Sequence, residues 1–409
     1  METGTPAVVL KFDPNVMHHG GLGAIRSLGR RGVPVHGVHE RRWAPAAGSR
    51  YLQGRWFWRF PPAEDPDRTR AELLALARHI GRPAVIVPTD DAASIFLAEE
   101  GGPLRSAFLF PEPPPELPRT VAGKYSMYEA CRSLGVACPD AMVSESVARA
   151  HDFARRKGFP VVAKLASPWR TPGSKLRSTV IVHDSAELDR TARAAEAAGA
   201  ALMWQEFIPG GPGHDWFFHG YCDRDSVCRP AFTGVKHRSY PAHAGLTSLG
   251  FAEPNPHLRE IATTLLARLG YRGIVDLDFR LDARDGRYRL LDFNPRLGAQ
   301  FRLFRDRAGV DVVLAQYLDL TGQPAAGGEQ VSGRGFVVEN YDPIAALRYW
   351  RAGELGLGEW LASLRGIDET AWFSWDDPRP FGLMCVRMGW RAVTRPLARR
   401  VERTKERNA

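Results

Sequence analysis

The stretch YRLLDFNPRLGAQ, Tyr288 to Gln300, sets the problem. Its apolar run of Leu290, Leu291 and Phe293 carries Asp292, Asn294 and Arg296 at every second position. Side chains on a strand alternate between faces, so the acid, the amide and the guanidinium share one face while Leu291 and Phe293 take the other. Buried charge is costly unless it is paired or bound. A strand apolar enough to be buried therefore needs a partner for this polar row.

That partner lies just upstream. Asp278, in IVDLDFRLD, precedes Asp292, and the intervening ARDGR carries Asp-Gly at a hairpin turn. Two adjacent antiparallel strands then bring Asp278, Asp292 and Asn294 into one oxygen-rich cluster. Hard oxygen donors with no His or Cys among them suit Mg²⁺ completed by phosphate oxygens and water. Arg296, next on the same face, is placed to meet a phosphate. A surface hairpin with solvated carboxylates is the competing reading.

The 409 residues suffice for two or three packed domains, and 44% hydrophobic with 25% charged residues is ordinary for a soluble globular protein. No apolar run approaches the roughly 18–20 residues that cross a bilayer, and the N-terminus does not read as a signal peptide. Cys131, Cys138, Cys222, Cys228 and Cys385 form no CxxC pair and read as reduced thiols of a cytoplasmic protein. The net charge of +9 favours anionic partners, and residues 387–409 hold eight Arg or Lys against two Glu. No helix-turn-helix, zinc-finger or RNP-type signature accompanies that charge, so nucleic acid is not an expected partner. The tail, with Trp390 and Val393, suits an anionic membrane surface, as at the inner membrane face, or packs its apolar stripe on its own core.

Along the chain, PAVVLKF, VPVHGVHE and PAVIVPTDD read as strands alternating with helices at GLGAIRSLGRRG and TRAELLALARHIG. That alternation argues for a parallel, doubly wound α/β sheet over residues 1–115. The proline-dense FPEPPPELPRT, Phe110 to Thr120, reads as a linker. Residues 120–325 change to an α+β pattern with much antiparallel pairing, and residues 326–409 form a Trp- and Arg-rich extension with a helix at DPIAALRYWRAGEL.

Three further segments could carry chemistry. Lys164 sits on the β run FPVVAKLAS and needs an anionic partner; the following loop holds Arg170, Lys175 and Arg177. MWQEFIPGGPGHDWFF ends a strand at Glu206, Phe207 and Ile208 before a glycine-rich turn, with Asp215 opening the next strand. GVKHRSYPAHAGLTS supplies Lys236, Arg238 and His243, and NPRLGAQFRLFRD adds Arg302 and Arg305. An Arg here suits a bidentate grip on a carboxylate.

Taken in order, GKYSMYEACRSLGVACP, FPVVAK, QEFIPG, DLDFR and LLDFNPRLGA resemble the ATP-grasp family over residues 120–322. The resemblance implies a Rossmann-like pre-ATP-grasp domain (1–115), an ATP-grasp domain (120–325) of two α+β subdomains enclosing ATP, with a lid at about 160–212, and the C-terminal extension. It implies that Lys124 and Lys164 hold the ATP phosphates, that Glu206, Phe207 and Ile208 form the adenine hinge, and that Asp215 takes the ribose. Lys236 joins the nucleotide contacts. Asp278, Asp292 and Asn294 would ligate two Mg²⁺, with Mn²⁺ as a substitute, and Arg296 would hold the transferring phosphate. Both metal carboxylates are Asp where the family more often has Glu, which shortens the reach by a methylene.

The implied activity is a carboxylate–amine ligase working through an acyl phosphate, on a small acid and an amine such as an amino acid or peptide. Homodimers are frequent in that family. Arg238 and His243 fall where the family lines its acceptor site, and handling of the amine falls to His243, Asp90 or Asp91. Asp90 and Asp91 read equally well as caps of the helix AASIFLAEE. The runner-up readings are carbamoyl-phosphate- or biotin-carboxylase-type chemistry and a non-catalytic nucleotide-binding protein. HHGGLGAIRSLG, His18 to Gly29, resembles a dinucleotide fingerprint, but GVHERR departs from the simple NAD pattern.

Overall fold

Why the chain places anything at its strand ends follows from the order of its first sheet. In the computed structural model, which describes residues 1–409 except 145, 167–175, 177–178, 244, 325–326 and 391–409, five parallel strands run β3-β2-β1-β4-β5. These are β1 (Ala7–Leu10), β2 (Val35–His39), β3 (Leu52–Phe57), β4 (Ala84–Pro88) and β5 (Phe108–Leu109), connected through helices α1 (Gly20–Gly29), α2 (Pro66–Ile80) and α3 (Asp91–Glu100). The winding reverses between β1 and β4. Open α/β sheets bind ligands in the crevice beyond the carboxyl ends of their strands at such a point. Phe12, Asp13, Asp90 and Asp91 stand there.

A second, four-stranded antiparallel sheet, β6-β9-β7-β8, is built from β6 (Ala141–Ser144), β7 (Val161–Leu165), β8 (Thr179–Val182) and β9 (Leu202–Glu206), with α6 (Val147–Lys157) and α7 (Ser185–Ala197). This sheet covers the segment expected to form a lid, but it begins some twenty residues before position 160, because β6 pairs with β9. The loop carrying Arg170, Lys175 and Arg177 lies outside the described residues.

The third sheet has seven strands in the order β14-β13-β10-β11-β12-β15-β16. They are β10 (Asp215–Cys222), β11 (Cys228–Tyr240), β12 (Leu246–Ala252), β13 (Gly273–Leu281), β14 (Tyr288–Asn294), β15 (Gly335–Val337) and β16 (Ile367–Thr370). The stretch after residue 326 is thus more than an appendage, since it completes the central sheet. Trp372 is fully buried, and the buried Arg26 of α1 bonds the Trp372 carbonyl and the Asp377 carboxylate at 2.7 and 2.9 Å. These contacts tie the extension to the first domain, whose core merges with that of the large sheet.

Several expectations need correction. The linker Phe110–Thr120 ends in a helix, α4 (Leu117–Ala122), followed by α5 (Lys124–Ser133). Pro118 sits at the first turn of α4, where a missing N–H costs nothing. Strand β3 escaped the sequence reading because LQGRWF lacks apolar alternation. Helix α8 (Pro256–Arg268) escaped as well, although Asn255 caps it by accepting from Leu258 N at 3.0 Å. The remaining helices are α9 (Val312–Leu320), α10 (Asp342–Arg351) and α11 (Leu357–Ser363). A last helix, residues 379–390, turns Phe381, Met384 and Met388 onto the core and leaves Val386 and Trp390 exposed. The membrane reading of the tail rests chiefly on 391–409, outside the described residues.

Candidate active site

The hairpin forms as its spacing predicts. Asp278 pairs directly with Asp292, and Asp276 with Asn294. On the other side of β13, His219 of β10 pairs with Asp276. One face of three adjacent strands therefore presents His219, Asp276 and Asn294 in one row and Asp278 with Asp292 in the next.

One detail departs from simple alternation. The register shifts between Asp278 and Phe279, which faces Leu290, so Leu291 is the extra residue of a β-bulge. Leu291, expected on the core face, instead lines an open cleft of about 610 Å³ between the four- and seven-stranded sheets and the strand ends of the first domain. Its carbonyl accepts from Lys164 Nζ at 3.0 Å. The bulge thus supplies a seat for the lid's lysine.

Cations reach this hairpin from distant parts of the chain. Lys164, on β7 of the lid and only 6% exposed, lies 3.0 Å from Asp292 Oδ1, and Lys124, the first residue of α5, lies 3.1 Å from the same oxygen. Burial alone would raise the Asp292 carboxyl, but the two ammonium groups hold it well below the usual carboxylate range. Burial lowers Lys164, while Lys124 ends above its ordinary value because Asp292 and Asp91 outweigh its burial. Lys236, on β11, approaches Asp278 Oδ1 at 3.5 Å. Burial pushes Asp278 upward against the pull of Lys236, with Asp276 and Asp292 adding to the rise. Arg296 donates to Asp276 Oδ2 at 2.8 Å and stands 3.5 Å from Asp91.

Whether these groups fit a divalent metal can be tested on their free oxygens. Both lysines bind Oδ1 of Asp292, and among the described residues no donor reaches its Oδ2, with the side chain 28% exposed to the cavity. Asn294 gives its Nδ2 proton to the Asp276 carbonyl at 3.2 Å, and no described donor reaches its Oδ1. No group of three or more His, Cys, Asp or Glu forms a cage among the described residues. Mg²⁺ at phosphate sites needs only one or two carboxylates, with phosphate and water completing its shell. The donor set fits that use.

The rest of the predicted set divides. Glu206, Phe207, Ile208, Asp215 and Lys236 all line the cavity. The Glu206 carboxylate is engaged by Arg284 at 2.6 Å, and its N–H donates to the Asp140 carbonyl at 2.8 Å. Asp215 accepts from Arg280 at 2.7 Å. His243 sits at the rim, 51% exposed, 3.2 Å from Glu354, in an edge contact with Tyr349.

Arg238 does not belong to the site. Its guanidinium, 6% exposed, forms a bidentate pair with Asp342 of α10, both contacts at 2.9 Å, and bonds Ser363. Arg302 is buried and donates to the carbonyls of Thr370 and Ala371, and Arg305 is exposed away from the cavity. All three were expected to grip an acceptor carboxylate, but the chain segments that claim the first two lie far downstream. Glu40, the acid that follows the second strand, is paired with Lys11 at 3.0 Å.

Asp276 and His219 were missed. Strand alternation from Asp278 should have found Asp276, two residues earlier on the same face. His219 shows no signal in sequence, since only the β10–β13 register brings it to Asp276, at 3.2 Å.

No protein-family model matches the chain. Among curated proteins, D-aspartate ligase of Enterococcus faecium (strain Aus0004) is 21% identical over 224 residues, 52% of this chain and 53% of that protein. The match thus spans about half the length of that relative. Among solved structures, N5-carboxyaminoimidazole synthetase from Staphylococcus aureus complexed with ADP superposes with a TM-score of 0.60 at 10% identity, over 82% of each chain. The biotin carboxylase domain of Hydrogenobacter thermophilus 2-oxoglutarate carboxylase, in complex with MgADP and bicarbonate, gives 0.57 at 18% identity, over 80% of this chain and 72% of that one. With its four-stranded sheet, its central sheet and its preceding parallel domain, the chain shares the fold of these two structures.

Proposed function

We propose that the protein is an ATP-dependent carboxylate–amine ligase. The observation that carries this reading is the convergence of Lys164 from the lid and Lys124 from α5 on one oxygen of Asp292, opposite Asp278. Two ammonium groups from separate elements meeting at an acidic hairpin make a place for a polyphosphate and its counter-ions. Apolar Val162, Ile181, Ile208 and Leu291 line the same cavity and suit a purine beside the Glu206–Ile208 main chain.

In this reading the lysines hold phosphate oxygens and the lid excludes water, which strengthens every charge contact within. A substrate carboxylate attacks the γ-phosphorus of ATP, ADP leaves, and an acyl phosphate remains. Arg296 stabilises the phosphoryl charge during transfer. An amine then displaces phosphate to give an amide. Asp278, Asp292 and Asn294 would hold Mg²⁺, which when bound would neutralise charge on the phosphates.

The fold likeness to a carboxylase domain that binds bicarbonate favours a second reading in which bicarbonate is the acid. One assay separates the two. ADP formation is followed with MgATP, hydroxylamine as a general nucleophile, and D-aspartate, a panel of amino and dicarboxylic acids, or bicarbonate. ADP with a matching hydroxamate from one organic acid supports the ligase. ADP with bicarbonate alone moves the assignment to carboxylation, and no ADP with any acid defeats both.

A further inference from the structure

The amine must lose protons on its way to an amide, and three side chains stand near enough to be considered. Asp90 is spent on backbone: Oδ1 caps α3 through Ala93 N at 3.0 Å, and Oδ2 accepts from Phe12 N and Asp13 N at 2.7 and 3.2 Å. His243 is half exposed at the rim and paired with Glu354. Asp91 differs from both. It lines the cavity, its Oδ1 is fully buried, and that oxygen accepts no hydrogen bond among the described residues. Its neighbour Arg296 stands at 3.5 Å, an ion-pair distance without a formed hydrogen bond. A buried carboxylate oxygen without a donor is costly, and a structure keeps one where something else binds it. A first-turn acid that served only the helix dipole could do so from the surface.

The surroundings point to a cationic guest. Arg238 and Arg302 are engaged elsewhere, and the two cations that act on Asp91, Arg296 and Lys124, are themselves paired with Asp276 and Asp292. The adjoining histidines add no charge at neutral pH, because burial lowers His18 well below its ordinary value and His19 to about 3.

We propose that Asp91 holds the amine substrate as its ammonium ion and takes its proton, an inference that rests on the ligase reading. The ammonium gives one proton to the Asp91 carboxylate. The freed lone pair forms the C–N bond at the acyl carbon, the C–O bond to phosphate breaks with its electrons leaving on phosphate, and the second N–H proton goes to that phosphate. Burial raises the Asp91 carboxyl, with Asp276 and Asp292 adding to the rise and Arg296 and Lys124 opposing it, which makes the group a better base.

The test uses the full chain, MgATP, the best acid from the panel above, and two nucleophiles. Hydroxylamine is uncharged at neutral pH and needs no base to free its lone pair. The other is the best primary amine from a panel of L-amino acids and their amides. Asp91→Asn should lower kcat with the amine about 100-fold at pH 7, with the deficit shrinking about tenfold by pH 9, while hydroxamate formation stays within about threefold. Asp91→Glu, which keeps a carboxylate, should recover at least about tenfold over Asp91→Asn with the amine. Equal losses with both nucleophiles in both variants would mean that Asp91 acts only through Arg296. An unchanged amine rate, or a deficit independent of pH, also overturns the proposal while leaving the ligase intact. No ADP from the wild type with any acid overturns the ligase reading and this one with it.

Discussion

The two ends of the β13–β14 hairpin each carry an aspartate gripped by two cations, and only one end is a candidate site. At the turn, Asp282 is fully buried; Arg284 and Arg289 occupy both its oxygens at 2.7 to 3.2 Å, and the Arg284 N–H adds a bond at 3.0 Å. At the cavity end, Asp292 receives Lys124 and Lys164 on one oxygen and keeps the other free of described donors. Both carboxyls lie well below the usual range. A depressed carboxylate is therefore no mark of function by itself. What separates the two is the origin of the cations, two and seven residues away at the turn and, for Lys164, 128 residues away at the cavity. The free oxygen beside a cavity makes the second difference.

The contrast can be broken most sharply at the cavity end. Asp292→Asn should cost about 10³-fold in ATP-dependent turnover, measured as ADP release, because it removes both the seat of the lysines and a metal donor. A turnover near that of the wild type would place the two ends of the hairpin in the same class. Arg238 provides the opposite pole. Arg238→Met leaves Asp342 buried without its guanidinium, which should destabilise the fold by about 3–5 kcal/mol in denaturant titration, with ATP affinity changed by no more than about threefold. A large loss of ATP affinity in that variant would return Arg238 to the site.

Arg296 should fall between these two. Arg296→Met is expected to lower kcat about 100-fold with a smaller stability loss than Arg238→Met, since Asp276 lies next to a cavity that can admit water. Equal destabilisation by the two substitutions would erase that distinction. The smallest effect belongs to Asp282. Its folded carboxyl is depressed, so its contribution is fully present above the unfolded value of about 4 and lost as pH falls through the folded value. Asp282→Asn should lower the melting temperature by roughly 2–4 °C at pH 7, and the gap should close toward pH 2. ADP formation should be unaffected.

Much of this was legible because it was local. The hairpin, its Asp278–Asp292 pairing and the parallel first domain follow from alternation, a turn dipeptide and strand–helix order. Lys164 was legible only as an anion-seeking group, since nothing in FPVVAK names Asp292 as the partner, and Lys124 was legible only through the family resemblance. What sequence could not yield were pairings across long separations. Arg238 read as a substrate clamp because Asp342 lies 104 residues downstream. Leu291 read as core because a one-residue bulge breaks the period that placed it there. The extension read as separate because β15 and β16 join the sheet only through their edges.

In the proposed function the hairpin, the two lysines and the lid together hold ATP with a divalent metal. Calorimetric titration of ATP into the wild type and Asp292→Asn, with Mg²⁺ and with EDTA, tests it most directly. One ATP should bind per chain, tightly only with Mg²⁺, and Asp292→Asn should lose that Mg²⁺ dependence. Absence of ATP binding by the wild type, or binding equally tight with EDTA and in the variant, would contradict it.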